Sequence, residues 1–128
     1  GYGYRLSHER LTRLMDADSG FRAAALSWVR DVLADIRQMV ACNRLHSIDQ
    51  RLSLLLLSFH DRRPLEILWL THDQLSNLLG VRRESVSQAA LVLRHAGAID
   101  YRRGRIEVTD RQKLIEFSCE CYEKSTSR

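Results

Sequence analysis

The segment from Leu70 to Ile106 constrains the fold more than any other part of this chain. Thr71 can cap the start of a helix, and Gln74 three positions later completes a capping box. Gly80 can adopt the positive φ that ends a helix, and Val81 can plug the turn that follows. The segment therefore predicts a short helix, a tight turn and a second helix. The apolar stripe of the first helix is predicted to be Leu75, Leu78 and Leu79.

The second helix is predicted over residues 82–96, with Gly97 ending it. Apolar residues at helical spacing face inward, and they are Val86, Ala89, Ala90 and Leu93, with Leu91 as a further candidate. Polar residues gather at the N-terminal end of the other face, which is the end that enters the major groove of DNA in helix-turn-helix proteins. They are Arg82, Arg83, Glu84, Ser87 and Gln88.

A small basic hairpin follows the second helix. Its strands are predicted at Ala98–Tyr101 and Arg105–Val108, and the turn between them at Arg102-Arg103-Gly104. The segment Leu65–Leu70, which includes Trp69, is predicted to add a third antiparallel strand. The order of these elements predicts a winged helix-turn-helix, a mainly α (α+β) fold with a small antiparallel sheet, and sequence-specific DNA binding. The arginines at the hairpin tip can bind DNA phosphates, and they are Arg102, Arg103 and Arg105.

The excess positive charge of the chain is concentrated in the same region. The 128 residues carry a net charge of +4, from 20 Lys and Arg against 16 Asp and Glu. Between Val81 and Lys113 there are eight basic and four acidic residues, a balance of +4, whereas the remainder has twelve of each and a balance of zero. This placement is expected of a surface that binds nucleic acid.

Other classes of function are weighed against DNA binding. A winged helix can pair with protein instead of DNA, but the arginine-rich recognition face does not favour that alternative. No enzyme is predicted, since the chain has no glycine-rich phosphate loop, nucleophile elbow or His-Glu-x-x-His helix. No run of about 18 apolar residues is present, so no membrane span is predicted.

Two helices are predicted before the winged-helix segment. His8–Ala17 is a short amphipathic helix, Asp18-Ser19-Gly20 is a break, and Phe21–Cys42 is a long helix of about 33 Å. Apolar residues at alternating spacings of three and four form a seam on the long helix, as in a two-stranded coiled coil. A homodimer is therefore predicted, with a single core helix as the alternative. The seam consists of Leu26, Val29, Leu33, Ile36 and Val40.

The remaining helices are predicted from their caps. Ser47 can begin a helix that reaches about His60. Thr109 or Asp110 can begin a last helix that reaches about Tyr122.

The three cysteines are an odd number, which gives no disulfide framework and fits a reducing cytoplasm. Cys119 and Cys121 could meet Cys42 in space, with His46 as a fourth metal ligand. Zinc, however, usually has C-x₂₋₄-C spacing, and cysteines two positions apart on one helix point about 200° apart. No metal site is therefore predicted, and the cysteines are expected to be buried and inert.

The helix-turn-helix resembles that of the Crp/Fnr family of bacterial transcription regulators. The family's Gly-apolar-x-Arg-Glu-(Ser/Thr)-Val core stands here as Gly80–Val86. Upstream, Cys42–His46 resembles the hinge after the family's dimer helix, and downstream Cys119–Tyr122 resembles one branch of the family. Residues 1–42 are accordingly interpreted as the end of a sensor domain with the dimerisation helix, and residues 43–128 as the DNA-binding domain.

The resemblance also implies partners and regulation. It implies a homodimer that binds a palindromic operator in double-stranded DNA, with RNA polymerase as a further partner. Family members usually begin with a β-roll that binds a cyclic nucleotide or another effector. That roll is missing here, so no cofactor is expected in this chain, and the chain is expected to be a fragment. Gln88 stands where well-known members place an arginine, so their half-site is not transferred.

Roles in DNA binding follow from side-chain chemistry and from the resemblance. Arg83 can bind guanine in bidentate fashion, Glu84 can accept from cytosine and hold Arg83, and both match base-contacting positions of the family. Gln88 can pair with adenine, whereas Arg82 and Ser87 can contact a base or a phosphate. The predicted phosphate contacts are Thr71, Ser85, Arg102, Arg103 and Arg105.

Overall fold

The computed structural model describes residues 2–62 and 67–126, with side chains described as far as Glu123. The chain divides into two compact units, Gly1–Gln38 and Met39–Arg128. This division falls shortly before the predicted boundary at residue 42, and both positions lie within one helix. None of the helices in the described part of the chain has the length and apolar character that crossing a lipid bilayer requires.

Helix α1 (His8–Ala17) and helix α2 (Ser19–Leu45) are separated by Asp18 alone. Asp18 ends α1, because its N–H donates to the carbonyl of Leu14 at 2.9 Å. The same residue begins α2, because its carboxylate accepts from the N–H of Phe21 at 3.0 Å. The first helix is thus confirmed within its predicted bounds.

Helix α2 is longer than predicted. It has 27 residues, about 40 Å, against the predicted Phe21–Cys42. The predicted break at 18–20 shrinks to one residue, because the carboxylate of Asp18 accepts a hydrogen bond from the first turn and the helix can begin at Ser19. At the other end Arg44 lies in the last turn, where a positive charge interacts favourably with the helix dipole.

Helix α3 (Ile48–Arg62) is the centre of the second unit and packs against three later helices. It begins at Ser47, as predicted. The Oγ of Ser47 accepts from the N–H of Gln50 at 3.3 Å, and Oε1 of Gln50 accepts from the N–H of Ser47 at 3.0 Å. The leucines on its inner face are completely buried, and they are Leu52, Leu56 and Leu57.

Helices α4 (His72–Leu79) and α5 (Arg83–His95) form the predicted helix-turn-helix. Helix α5 is one residue shorter at each end than the predicted 82–96. Two leucines that were predicted to face inward do not, since Leu78 is 52% exposed and Leu91 is 49% exposed. Leu78 lies at the edge of the buried stripe of α4. Leu91 is two positions after a buried alanine on α5, which turns its side chain about 200° around the helix axis from that alanine.

The sheet has three antiparallel strands, β1 (Leu68–Trp69), β2 (Ile99–Arg102) and β3 (Arg105–Val108). Strand β3 lies between the other two, and its Ile106 is completely buried in the core. The predicted third strand is confirmed at Leu68–Trp69. The part of that prediction on residues 65 and 66 lies outside the described residues.

Strands β2 and β3 form a hairpin, Ile99–Val108, which we call the wing. Its turn has two residues, Arg103 and Gly104, and not the three that were predicted. Their φ angles are 47° and 79°, and a two-residue hairpin turn of the primed type needs positive φ at both positions. Arg102 therefore belongs to β2.

The C-terminal segment forms two helices, α6 (Arg111–Phe117) and α7 (Cys121–Thr126), and the prediction of one continuous helix is wrong. Asp110 begins α6 as one of the two predicted caps. Ser118 ends α6, because it adopts an extended conformation and its hydroxyl donates to the carbonyl of Ile115 at 2.7 Å. The chain can then change direction before α7 begins.

A polar network joins α7 to α3 and α6. The hydroxyl of Tyr122 donates to Asp61 at 2.5 Å, and the guanidinium of Arg111 donates to Tyr122 at 2.6 Å and to Asp61 at 3.0 Å. Burial raises the pKa of Asp61, but the hydrogen bonds from Tyr122 and Arg111 outweigh burial and hold that pKa below its ordinary value of 3.8.

The three cysteines form a small buried cluster beside Leu54. Cys42, Cys119 and Cys121 are thiols with exposures of 3%, 4% and 3%, so their predicted burial is confirmed. The prediction that Cys119 and Cys121 lie on one helix and point apart is wrong, however. Cys119 lies before the start of α7, so Cys119 and Cys121 do not share one helix and need not point apart. Burial raises the pKa of both thiols above the ordinary value.

Candidate nucleic-acid interface

Caps define both ends of α4. Oγ1 of Thr71 accepts from the N–H of Gln74 at 3.2 Å, and Oε1 of Gln74 accepts from the N–H of Thr71 at 2.9 Å, which confirms the predicted capping box. Gly80 ends α4 with a φ of 64°, as predicted. Arg82 precedes α5 in an extended conformation, and its side chain makes no capping hydrogen bond within the described structure, so its guanidinium can reach outward.

Arg51 of α3 holds the end of α4 in place. Its side chain is buried, and its guanidinium donates to the carbonyl of Leu79 in the last turn of α4. A cation at this end of a helix is favourable because the carbonyl ends carry the negative part of the helix dipole. This role of Arg51 was not predicted from the sequence. The signal that could have indicated it is a charged residue at a position of α3 that helical periodicity turns toward the core.

Helix α5 separates a buried face from an exposed one. Val86, Ala89, Ala90 and Leu93 are buried, as predicted. The exposed face begins at the N-terminal end of the helix and is polar, so its side chains can change contacts without disturbing the core. The predicted base-contacting residues on it are Arg82, Arg83, Glu84 and Gln88.

Ser87, the fifth predicted base contact, is half-buried and already hydrogen-bonded. Its hydroxyl donates to the carbonyl of Arg83 at 3.1 Å and lies 2.8 Å from Nδ1 of His72. With the hydroxyl proton directed at Arg83, Nδ1–H of His72 is the donor to Ser87. The imidazole of His72 also stacks on Tyr101, with ring centroids 4.2 Å apart and planes at 19°. One side chain of α4 thus contacts both α5 and the wing.

The surroundings of His72 favour its neutral form. Burial lowers its pKa below the ordinary value of 6.5, and the nearby positive charge of Arg83 lowers it further. Its Nε2 is buried and has no hydrogen-bond partner within the described residues. No local sequence pattern links His72 to Tyr101, because Tyr101 lies on a strand 29 positions later.

Arg83 lies beside an acidic residue of α4. Its Nε is 3.5 Å from Oδ1 of Asp73, and both side chains are more than 60% exposed. An ion pair this exposed contributes little to stability, and the guanidinium can exchange it for a base or a phosphate. Glu84 was predicted to be able to hold Arg83, but it is Asp73 that lies beside the Arg83 guanidinium, and Glu84 is exposed.

The arginines of the wing differ in their surroundings. Arg102 lies 3.1 Å from Asp100, and Arg105 lies 3.1 Å from Glu107. Arg103 is exposed at the turn, and among the described residues no carboxylate lies within ion-pair distance of it. The positive charge of the wing that is not locally balanced is therefore at Arg103.

The turn of the wing lies next to the start of α4. A Cβ atom added to Gly104 would lie 3.3 Å from Cγ2 of Thr71. Thr71 is exposed at this point, and Ser85 is half-buried in the first turn of α5. Two predicted phosphate contacts, Thr71 and Arg103, are thus brought to one region by the fold, and helix starts offer N–H groups to anions there.

A comparison with protein-family models identifies residues 50–117 as a Crp-like helix-turn-helix domain. This match covers more than half of the chain, from α3 to α6. The chain belongs to the Crp-like helix-turn-helix family. The winged helix-turn-helix predicted from the sequence is thereby confirmed, and the chain is a DNA-binding module of the kind found in transcription regulators.

Several solved structures share the fold of this Crp-like chain. FixK2 from Bradyrhizobium japonicum is 17% identical, with a TM-score of 0.81 over 89% of this chain and 60% of that protein. A protein from Eubacterium rectale assigned to the Crp/Fnr family is 20% identical, with a TM-score of 0.68 over 85% of this chain and 50% of that one. A Crp/Fnr-family regulator from Thermus thermophilus is 25% identical, with a TM-score of 0.55 over 89% and 56%.

The Crp-like chain spans between half and three-fifths of the length of these structures. The comparison with curated proteins finds no match. Relatives at these identities establish the fold, so the choice of DNA sequence has to be argued from the side chains of this chain.

Proposed function

We propose that this chain is the DNA-reading part of a Crp/Fnr-type regulator, which binds a palindromic operator as a homodimer. The observation that carries the proposal is the exposed N-terminal face of α5. Arg83, Glu84 and Gln88 are exposed on α5, whose opposite face is buried, and Arg82 is exposed at the position just before it. Contacts to base edges need side chains that can reach the bases and a backbone that is held in a fixed position.

The electrostatics of the second unit supports the same proposal. The segment from Val81 to Lys113 carries the whole net charge of +4. It includes the start of α5 and the wing. Phosphate contacts from these arginines would orient α5 on the duplex, and base contacts would then select the sequence.

The apolar seam of α2 supports the homodimer. Its five side chains are exposed by 45% to 63%, which is unusual for large apolar residues at regular helical spacing. Pairing two such helices would bury the seam and join two copies of α5 in one dimer, and helix-turn-helix dimers bind half-sites about 34 Å apart, one helical turn of DNA. The seam residues are Leu26, Val29, Leu33, Ile36 and Val40.

Regulation by an effector belongs to the same proposal. An effector that binds outside this chain would shift the paired α2 helices and so reorient the two copies of α5. RNA polymerase is a further proposed partner of the DNA-bound dimer.

Selection of bound sequences from a random DNA pool tests the proposal. We expect the chain to enrich a palindrome with half-sites about one helical turn apart. Leu33→Glu, which places a charge in the seam, should yield single half-sites. Ala24→Glu is the matched control, because residue 24 lies on the opposite side of α2, and it should enrich the same palindrome as the native chain.

Three outcomes are informative. A palindrome that survives Leu33→Glu would refute dimerisation through the seam. Enrichment of half-sites by the native chain would refute the homodimer but keep DNA reading by α5. No enrichment of any sequence would overturn sequence-specific binding and favour a winged helix that contacts protein.

A further inference from the structure

Four side chains of the kinds that bind metals meet in the second unit, and none of them is among the predicted DNA contacts. The Sγ atoms of Cys42, Cys119 and Cys121 and a ring nitrogen of His46 all lie within 4.8 Å of one another. Cys42 and His46 are four positions apart at the end of α2, which places them on one side of the chain. Cys119 and Cys121 flank the start of α7.

The distances fit one ion and not a cluster of metals. A tetrahedral zinc with bonds of about 2.3 Å to sulfur has ligands roughly 3.7 Å apart. Sγ of Cys121 is already 3.8 Å from Nδ1 of His46. The remaining pairs need to close by at most about 1 Å, which side-chain rotation can supply.

The set of donors selects a thiophilic metal. Three cysteines and one histidine form a standard ligand set of structural zinc sites. Soft sulfur ligands exclude magnesium and calcium, which take oxygen. All three thiols are at least 96% buried, so the site is closed to solvent and leaves no open position for a substrate.

An outer carboxylate orients the histidine. Oε1 of Glu120 lies 3.3 Å from Nε2 of His46, on the ring nitrogen that faces away from the cysteines. A histidine that binds metal through Nδ1 must carry its proton on Nε2, and Nε2–H can donate to this carboxylate. Carboxylate–histidine–metal arrangements of this kind are regular companions of zinc sites. A cluster that was only hydrophobic packing would not require a histidine oriented in this way.

We propose that Cys42, His46, Cys119 and Cys121 bind one structural zinc ion. Binding releases the three thiol protons to solvent, and the neutral histidine completes the tetrahedron. The ion joins the end of α2 to the start of α7, between segments that are more than 70 residues apart in sequence. Such a link stabilises the folded second unit, because the complete ligand set exists only when the unit is folded.

Metal analysis of the 128-residue chain, purified without chelators, tests this site. We expect one zinc per chain, and we expect a strong chelator to lower the melting temperature. Replacement by Co²⁺ should give the visible absorption of a tetrahedral ion with thiolate charge transfer. Cys119→Ser should lose the metal, whereas His95→Gln, a histidine exposed at the end of α5, should keep it.

Glu120→Ala provides a test that does not depend on a buried substitution. Glu120 is exposed, so the variant should fold, and loss of the outer carboxylate should weaken zinc affinity by about 10- to 100-fold. Glu116→Ala, an exposed carboxylate on α6, is the matched control and should leave the affinity unchanged.

The proposal fails if the folded native chain takes up no zinc or cobalt. It also fails if zinc stays bound in both Cys119→Ser and His46→Gln, since the ion would then lie elsewhere. A disulfide between two of these cysteines in freshly purified, metal-free protein would overturn it in favour of a redox pair. None of these outcomes bears on DNA binding by α5.

Discussion

Arg83 lies at the first position of α5, exposed and only loosely paired with Asp73. Because it is not committed to a strong contact within the protein, its side chain can approach the edge of a guanine, where two parallel hydrogen bonds are possible.

We expect Arg83→Ala to weaken binding to the preferred operator by roughly 1–3 kcal/mol and to relax specificity at one base pair. Arg94→Ala is the control, because Arg94 is exposed at the C-terminal end of the same helix. Binding titrations against a set of single-base operator variants would measure both effects. An equal loss on all sequences would assign Arg83 to phosphate binding.

His72 gives the folded state a pH dependence. Its pKa is lowered in the folded chain by burial and by Arg83, so below the ordinary value of 6.5 the unfolded chain binds a proton that the folded chain does not. Stability should therefore be full above pH 6.5 and fall as the pH decreases toward the folded pKa.

We expect urea unfolding of the native chain to show a loss of stability between pH 7.5 and pH 5.5 that is smaller in His72→Gln. His95→Gln should behave like the native chain, because His95 is exposed. A native-like pH dependence in His72→Gln would show that other groups cause it.

The surroundings of some functional residues could be predicted from the sequence, and those of others could not. The exposed position of Arg83 follows from helical periodicity alone. The bond between Ser87 and His72 does not, since it depends on how α4 packs across α5. Ser87 was therefore predicted among the base contacts, although its hydroxyl is already used within the protein.

At the scale of elements, the wing shows how similar residues can differ in function. Arg102 and Arg105 each have a carboxylate neighbour on the same hairpin, whereas Arg103 lies at the turn beside the start of α4. Arg103 can therefore bind a phosphate without first breaking an ion pair within the described part of the protein.

We expect Arg103→Ala to weaken binding to every DNA sequence and to reduce the slope of log K against log salt by about 0.9. Arg105→Ala should reduce the slope less, because its ion pair with Glu107 competes with phosphate. Titrations at several salt concentrations would measure the slopes. An unchanged slope in Arg103→Ala would show that Arg103 does not contact phosphate.

Helix starts were more predictable than helix ends. Ser47, Thr71 and Asp110 cap their helices through local hydrogen bonds that the sequence specifies. The end of α6 at Ser118 has no glycine or proline to signal it. The break was missed there, so Cys119 and Cys121 were expected to share one helix and to point apart, although they lie in one cluster with Cys42.

At the scale of the whole molecule, burial is confined to one unit. Among the described residues every buried side chain lies at position 42 or later. The core therefore belongs to Met39–Arg128, whereas the first unit contributes most of the exposed seam. Folding and the proposed dimerisation should accordingly be separable.

We expect residues 39–128 alone to unfold cooperatively near the melting temperature of the full chain. The fragment should also sediment as a monomer, because it keeps only Val40 of the seam. Circular dichroism and analytical ultracentrifugation would test these two points. An unfolded fragment would show that the first unit supports the core, and a dimeric fragment would refute pairing through α2.

The division of α5 into two faces has a consequence for how such a protein can diverge. Glu84 and Gln88 are exposed, so replacing them should change surface chemistry with little effect on folding. Duplicated copies of the gene could acquire new operators through a few such substitutions while keeping one scaffold. The same separation gives an engineer a short list of positions to randomise when a new target site is wanted.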